Sequence, residues 1–408
     1  MIRHGLRLLL PIGLLASGAA PAAAQPAPPA QTEADAYTRY ELLEPGSGKF
    51  RILYEVTATT AGARAYLNPI RRGSVATDEQ VSDPATGRPL AHETVSAAAA
   101  RAEGVRGDSA DEYLRVRLPR PVPPGGGGRV RIDKTYEDPK SYRLEPDGSL
   151  IFSRPLGIKR NTVVLPPGWE LVACNVPSQV LQDADGRVRI SFWNDSPAQA
   201  PLTLRARRSP RPLPPPGPAT ASVADRAHQT RDITYDLQLP ETHAFSLFHD
   251  YTETRAGTDR YVNVVRAGST VRDPGGRDLD TGEALRFDVL KGEAITRAGI
   301  SERGLTVTPQ TEVVVFRFPA VPPGGSRRIR MSETYADAER YRLEGGELVW
   351  RRSLGRAHNV VLLPAGWVLS ASSMPAAVTT REDGRVRLEF TNPRPDELDT
   401  LVTAHRTR

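Results

Sequence analysis

The chain has 408 residues, of which 39% are hydrophobic, 25% are charged and 6% are aromatic. This composition excludes a wholly disordered chain, and one cysteine excludes both a disulfide scaffold and a cysteine-based zinc site. The length predicts two domains. Because 48 acidic residues nearly balance 54 basic ones, the formal net charge of +6 does not indicate a nucleic-acid partner.

The first residues predict an export signal. Arg3 and Arg7 precede a mostly apolar stretch at 8–16, and the alanines at 22–24 suit a signal peptidase. The apolar stretch is shorter than the roughly 20 residues that a membrane-spanning helix needs. We therefore predict a signal peptide at 1–24, cleaved near Ala24, and a periplasmic or secreted protein without a transmembrane segment.

An internal duplication is the strongest signal in the sequence. The motif YLNPIRRGS begins at Tyr66, and YVNVVRAGS begins 195 residues later at Tyr261. Pro-Pro-Gly-Gly at 123–126 recurs 199 residues later at 322–325. The other matches follow in the same order: Thr86-Gly87 with Thr281-Gly282, Tyr142-Arg143-Leu144 with Tyr341-Arg342-Leu343, Leu156-Gly157 with Leu354-Gly355, Gly168-Trp169 with Gly366-Trp367, and Asp185-Gly186-Arg187 with Asp383-Gly384-Arg385.

The duplication predicts the domain organisation. Residues 25–35 form a flexible Pro/Ala-rich leader, 36–208 the first module and 232–408 the second. The linker at 209–231 contains a proline-rich run, which favours an extended polyproline II spacer.

Each module is predicted to be built from strands. Apolar and polar residues alternate with period two, and Gly-containing turns at 147–148, 185–186, 345–346 and 383–384 predict hairpins. Helical periodicity is weak: the one Ala-rich run, 96–102, is short, and its counterpart at 292–299 is not clearly helical. We predict an all-β protein of two tandem antiparallel β-sandwich domains, Greek-key or Ig-like, with roughly eight to ten strands each.

Six repeated aromatic residues are candidate binding residues. Their rings could stack on a sugar, or they could fill the core of a sandwich. The six are Tyr136, Tyr142 and Trp169 in the first module and Tyr335, Tyr341 and Trp367 in the second.

Two other features have alternative interpretations. Arginines alternate with apolar residues, as at 129–131 and 328–330, which places guanidinium groups on one strand face. That face could bind an anionic envelope polymer or could be an ordinary solvated surface. Cys174 is predicted to be a small buried hydrophobe, with a reactive thiol as the alternative.

The sequence contains no recognisable catalytic or metal motif. His-Glu-x-x-His, Gly-x-Ser-x-Gly and the P-loop are absent. No histidine recurs between the modules, since His249 aligns with Tyr54 and His358 with Arg160. We therefore assign no catalytic residue, metal or cofactor.

The function predicted from the sequence is binding outside the cytoplasm. The candidate partners are an anionic envelope polymer, a peptide or a protein. Two alternatives remain open: a hydrolase, or its accessory subunit, with a site between the modules, and a structural or assembly protein of the envelope.

Overall fold

The structure, a computed structural model, describes residues 28–107, 110–183, 185–196, 198–210, 231–265, 269–301, 305–394 and 396–407. We call 28–210 the first half and 231–407 the second half. The predicted signal peptide, the first three residues of the predicted leader and most of the predicted linker lie outside the described residues.

The first half contains fourteen strands and one short helix among its described residues. Their bounds are β1 Glu33–Leu42, β2 Lys49–Ala58, β3 Ala65–Arg71, β4 Val75–Ser82, β5 His92–Ser96, α1 Ala97–Ala102, β6 Ala110–Arg117, β7 Gly128–Glu137, β8 Tyr142–Leu144, β9 Leu150–Leu156, β10 Arg160–Val164, β11 Trp169–Cys174, β12 Gln179–Gln182, β13 Val188–Trp193 and β14 Ala200–Arg208.

The second half repeats this order and adds a short 3-10 turn at Pro240–Thr242. Its bounds are β15 Asp232–Leu237, β16 Ala244–Glu253, β17 Arg260–Val264, β18 Thr270–Asp278, β19 Arg286–Lys291, α2 Glu293–Arg297, β20 Glu312–Arg317, β21 Arg327–Ala336, β22 Tyr341–Glu344, β23 Glu347–Leu354, β24 His358–Leu362, β25 Trp367–Ser372, β26 Ala377–Thr380, β27 Val386–Thr391 and β28 Leu398–Arg406.

Both halves have the same sheet topology. A seven-stranded sheet runs β12-β13-β10-β1-β2-β7-β4 in the first half and β26-β27-β24-β15-β16-β21-β18 in the second. Each half also has a four-stranded sheet, β11-β14-β9-β8 or β25-β28-β23-β22, and a three-stranded sheet, β3-β6-β5 or β17-β20-β19. This arrangement confirms the prediction of two duplicated all-β sandwich domains.

The structure corrects three details of the prediction. Fourteen strands per half replace the expected eight to ten, because strands as short as β8 carry too little alternation to be counted from sequence. The pairs β1–β10 and β15–β24 are parallel within otherwise antiparallel sheets. In addition, β1 begins at Glu33, so the last three residues of the predicted leader belong to a strand.

Turns and caps form where the sequence requires them. The predicted hairpin turns are confirmed, and Gly148, Gly186, Gly346 and Gly384 all have positive φ. The Ala-rich run at 96–102 contains α1, whose first turn is capped by the hydroxyl of Ser96, and the counterpart run at 292–299 contains α2, although helical periodicity is weak in the sequence of both.

Each half has its own hydrophobic core. In the first half Phe50 packs against Phe152 with the ring centroids 5.4 Å apart. In the second half Tyr235 packs against Trp350 at 5.2 Å. The buried clusters of the described residues do not mix side chains of the two halves.

The repeated turns of one half touch the repeated turns of the other. Gly87 and Gly282 both have positive φ, and each lies against the Pro-Pro-Gly-Gly turn of the opposite half. A Cβ at Gly87 would lie 2.8 Å from the Gly324 oxygen, and one at Gly282 would lie 2.6 Å from the Pro124 oxygen. Motifs that the duplication copied therefore form a reciprocal contact between the halves.

Buried ion pairs also join the halves. Arg129 Nε lies 2.6 Å from Asp280 Oδ1, and its repeat equivalent Arg328 reaches Asp35 Oδ1 at 2.5 Å. At another point of the contact the ring of His358 stacks on Trp193, with centroids 4.7 Å apart. The two halves are therefore in polar and aromatic contact along their junction.

Helices contribute little to the described structure. No helix among the described residues is long and apolar enough to span a bilayer.

Candidate functional site

The six predicted aromatic binding residues are all buried. None of their side chains is more than 4% exposed. The hydroxyls of Tyr142 and Tyr341 donate to the main-chain oxygens of Leu43 and Gln238, which ties each ring to the strand beside it. All six residues belong to the hydrophobic core clusters of their halves.

Repeated asparagines hold loops in both halves. The Asn161 and Asn359 amides donate to the Ile158 and Arg356 oxygens at 2.6 and 2.9 Å. Cys174 is half-buried at the end of β11, and its Sγ lies 3.3 Å from the Val176 oxygen.

The tyrosine cup is a cavity of about 760 Å³ in the first half. Its walls come from β1, β2 and β7 of the seven-stranded sheet, from β3 and β6 of the three-stranded sheet and from β9 of the four-stranded sheet. The cup therefore lies where the three sheets of this half meet. Its size is in the range of ligand sites. The side chains used below are Glu33, Tyr54, Tyr66, Asn68, Arg71, Lys134, Tyr136 and Arg154.

Lys134 is a buried amine at the wall of the tyrosine cup. It lies on β7 between the inward residues Ile132 and Tyr136, and it is only 3% exposed. Its Nζ donates to Asn68 Oδ1 at 2.7 Å and lies 4.8 Å from the centre of the Tyr136 ring. An ammonium has three donors, so the bond to Asn68 leaves hydrogen-bonding capacity for a ligand.

Burial lowers the pKa of the Lys134 ammonium to about 7, and Arg154 adds to the shift while Glu79 opposes it. No ion pair of Lys134 occurs among the described residues. The amine therefore changes charge near neutral pH.

Two arginines contribute further positive charge to the cup. Arg154 is buried and pairs with Asp138 at 3.0 Å. Arg71 lines the cup without an ion pair of its guanidinium in the part of the chain that the structure describes, and burial together with Arg154 lowers its pKa. This end of the cup is thus able to receive a negatively charged group.

The lining of the cup also includes hydroxyl groups and one carboxylate. Tyr66 donates to Glu33 Oε2 at 2.5 Å, and the hydroxyls of Tyr54 and Tyr66 lie 3.1 Å apart. Burial, followed by the nearby charged groups, raises the pKa of both phenols. They consequently remain protonated and can act as hydrogen-bond donors at neutral pH.

The second half carries a different group at the equivalent position. Glu333 replaces Lys134 and is only 2% exposed. The repeat equivalent of Asn68, Asn263, turns its amide nitrogen toward the carboxylate and donates to Glu333 Oε2 at 2.7 Å. Burial raises the pKa of Glu333. His249 stands in place of Tyr54, and burial lowers the pKa of its imidazole.

Another cavity of the first half offers less chemistry. A groove of about 1160 Å³ is lined mainly by alanine, proline and glycine between Pro28 and Pro121. Its central cation, Arg115, already pairs with Glu93 and Glu103. Among the described residues, no group of three or more His, Cys, Asp or Glu side chains is placed to hold a metal ion.

The sequence analysis missed most of the tyrosine cup. Of the six predicted residues only Tyr136 lines it. One signal was present in the sequence: Lys134 occupies an inward position of an alternating strand, where the second module has Glu333. A charged residue at such a position is rare unless it is paired or functional.

Comparison with known proteins gives no family. No family model matches the chain, and no curated protein matches it. Among solved structures, an M1 zinc metallopeptidase from Deinococcus radiodurans is 14% identical, with a TM-score of 0.29 over 44% of this chain and 42% of that one. An aminopeptidase N family protein from Idiomarina loihiensis is 12% identical, with a TM-score of 0.28 over 42% of this chain and 29% of that one. A collagen adhesin from S. aureus is 7% identical, with a TM-score of 0.17 over 78% of this chain and 84% of that one. TM-scores this low supply no argument about function.

Proposed function

We propose that the protein is an exported, non-catalytic binding protein and that the tyrosine cup of its first half receives an acidic, hydroxyl-rich ligand. The observation that carries this proposal is Lys134, a buried amine at a cavity wall that makes no described ion pair. A buried cation without a counter-charge is costly unless a ligand supplies one.

The remaining groups of the cup suit the same ligand. Arg71 can bind a carboxylate or phosphate through its guanidinium fork. Tyr54 and Tyr66 line the same cavity, where ligand hydroxyls can exchange hydrogen bonds with their hydroxyls. A segment of an acidic glycan of the cell envelope has both kinds of group.

The outward faces of the sheets offer less to an anionic polymer. Arg131 pairs with Glu55 at 2.6 Å, and Arg330 pairs with Asp250 at 2.6 Å. Because these cross-strand pairs neutralise the alternating arginines, we place the ligand in the cup rather than on the sheet face.

Calorimetric titration tests the proposal. We expect an oligosaccharide of uronic acid units to bind, and a neutral oligosaccharide of the same length to bind at least about tenfold more weakly. Affinity for the acidic probe should fall as the pH rises through about 7, because Lys134 then loses its proton.

A matched pair of variants locates the site. Lys134→Met should weaken binding of the acidic probe at least about tenfold, whereas the exposed Lys291→Met should not change it. Equal binding of both probes, or full affinity in Lys134→Met, would refute the proposal.

A hydrolase is the second candidate, and one observation favours it. An amine with a pKa near 7 can serve as a general base at neutral pH. Hydrolysis would release new reducing ends from the acidic oligosaccharide, and Lys134→Met would abolish this release. Binding without release supports the non-catalytic proposal.

Export is a further part of the proposal. It predicts that the mature chain recovered from the periplasm or medium begins just after Ala24, which sequencing of its N-terminus would check. Affinity capture from envelope fractions separates ligand binding from an assembly role. Retention of acidic glycan supports binding, and retention of protein partners alone supports assembly.

A further inference from the structure

A small cavity lies at the junction of the two halves. The junction cavity has a volume of about 170 Å³ and is separate from the tyrosine cup. Residues of both halves line it: Asp35, Glu55, Val56, Thr57, Pro84, Arg129, Val130, Arg131 and Arg160 from the first, and Thr252, Thr254, Ser326 and Arg328 from the second.

Three of the four arginines that line the junction cavity have carboxylate partners. Arg131 pairs with Glu55, Arg129 with Asp280, and Arg328 with Asp35. Two further carboxylates, Asp232 and Asp250, lie 3.8 and 4.0 Å from Arg328 Nη2. They are engaged elsewhere as well, Asp232 by His358 at 3.2 Å and Asp250 by Arg330 at 2.6 Å.

Arg160 is the exception among the four. Among the described residues its side chain donates to the main-chain oxygens of Asp35 and Ala36 and forms no ion pair within 4 Å. Its guanidinium lies 5.9 Å from the Trp193 ring, and the residue is 3% exposed. Burial raises the pKa of Asp232, but a hydrogen bond from His358 and the charge of Arg160 outweigh this effect and lower it, so the carboxylate that Arg160 acts on is also engaged by His358.

Four nitrogens of the lining arginines have no hydrogen-bond partner among the described residues: Arg129 Nε, Arg160 Nη1, Arg328 Nε and Arg328 Nη2. Arg129 Nε and Arg328 Nη2 nevertheless lie 2.6 and 2.5 Å from carboxylate oxygens, so Arg160 Nη1 and Arg328 Nε are the two without an acceptor nearby, and Arg328 is only 2% exposed. An unsatisfied donor on a buried charged group costs free energy, and an acceptor that reaches these donors would lower that cost.

We propose that the junction cavity binds a small oxyanion, a phosphate or carboxylate group, held by Arg160 of the first half and Arg328 of the second. Guanidinium groups recognise both anions through paired N–H donors. Thr252 adds a donor, because its hydroxyl oxygen accepts from Arg328 Nη1 and its hydrogen stays available for the anion.

The site exists once in the molecule despite the duplication. The repeat equivalent of Arg160 is His358, which is turned to Asp232 and Glu389 instead. Because the two arginines belong to different halves, bound anion stabilises the junction, and it should raise the temperature of unfolding by mass action.

Titration of the full mature chain with inorganic phosphate, with acetate and with chloride at constant ionic strength tests the proposal. A Lys134→Met background removes any contribution from the tyrosine cup. We expect saturable binding of one phosphate or one acetate per chain and a matching rise in the unfolding temperature. The anion that shows saturable binding identifies whether the bound group is a phosphate or a carboxylate.

Substitutions then assign the site. Arg160→Met should weaken oxyanion binding at least about tenfold, and Arg160→Lys, which keeps the charge but not the fork, should weaken it less. The control Arg205→Met, on an exposed strand where the side chain binds Asp147, should leave binding unchanged.

Three outcomes would overturn the site. They are absence of saturable binding of both oxyanions, chloride binding as strong as that of the oxyanions, and full affinity in a folded Arg160→Met. The first two outcomes are measured on a chain that keeps Arg160. They therefore test the proposal even if Arg160→Met fails to fold.

Discussion

The two halves share one scaffold but carry opposite charges at one buried position on equivalent strands. Lys134 on β7 and Glu333 on β21 each bind the repeated asparagine, the lysine through the Asn68 oxygen and the glutamate through the Asn263 nitrogen. An amide can donate or accept, so the same side chain serves both charges. The two halves therefore keep the same strand and the same asparagine at this position but carry opposite charges there.

The opposite charges of Lys134 and Glu333 predict opposite dependences of stability on pH. The pKa of Lys134 is lowered on folding, so the unfolded chain binds more protons between about pH 7 and 10.5, and stability rises with pH in that window. The pKa of Glu333 is raised on folding. The stability that Glu333 contributes is present below the ordinary pKa of 4.5, and it is lost as the pH rises through the pKa of the folded state.

The largest effect is expected for Lys134→Met. At pH 6 the buried charge costs several kcal/mol, since each pKa unit is worth about 1.4 kcal/mol. The variant loses this cost but leaves Asn68 Oδ1 without its donor, which costs about 1–3 kcal/mol. We expect a net gain of about 2–3 kcal/mol in the free energy of unfolding at pH 6.

Guanidinium denaturation followed by tryptophan fluorescence from pH 6 to 10 checks this expectation. The gain should shrink as the pH approaches 10, whereas the exposed Lys291→Met should show no such trend. A variant less stable than the parent at pH 6 would contradict the charge argument.

Substitution of Asn68 and of Asn263 also tests the difference in charge between the two halves. Asn263→Asp places a second carboxylate 2.7 Å from Glu333 and should destabilise the second half by about 2 kcal/mol at pH 7. Asn68→Asp places a carboxylate beside Lys134 and should raise the pKa of the amine instead. Hydrogen exchange measured strand by strand on β7 and β21 distinguishes the two. Equal effects of both substitutions would show that charge is not the difference.

Glu333→Gln should have a smaller effect. It removes the cost of a buried carboxylate and keeps an acceptor for Asn263, so we expect a gain of about 1–2 kcal/mol at pH 8. The gain should vanish near pH 4, where the native carboxyl is protonated. Denaturation at pH 4 and pH 8 measures it, with Glu347→Gln on an exposed strand end as the control. A gain of the same size at both pH values would argue against titration of Glu333.

The smallest effect is expected at the junction, where His358 corresponds to Arg160. Burial lowers the pKa of His358, but hydrogen bonds that its ring donates to the carboxylates of Asp232 and Glu389 outweigh this effect and raise the pKa. Its stabilising charge is present below the ordinary pKa of 6.5 and is lost as the pH rises through the folded value. Because arginine keeps its charge at high pH, His358→Arg should remove this loss. We expect the free energy of unfolding at pH 9 to be about 1 kcal/mol higher than in the parent. Thermal unfolding at pH 6 and pH 9 tests it, and an unchanged pH dependence would contradict it.

Parts of the tyrosine cup could have been predicted, and parts could not. The strand alternation around Ile132, Lys134 and Tyr136 already turns the lysine inward, so its burial follows from local pattern. Glu33 was predicted to lie in a flexible leader, because no short-range pattern marks it as part of β1. Tyr66 is 33 residues away from Glu33 along the chain, so their hydrogen bond depends on how separate sheets come together.

The sequence by itself determined the all-β class, the duplication and the hairpin turns, because strand alternation and positive-φ glycines act over a few residues. The order and spacing of the repeated motifs also matched Trp169 of the first half with Trp367 of the second. Only the tertiary structure decided that the Thr-Gly and Pro-Pro-Gly-Gly turns meet across the halves, and that Arg160 and Arg328 share one cavity. Those contacts join residues more than 150 positions apart, and their placement depends on the packing of whole sheets rather than on any local preference.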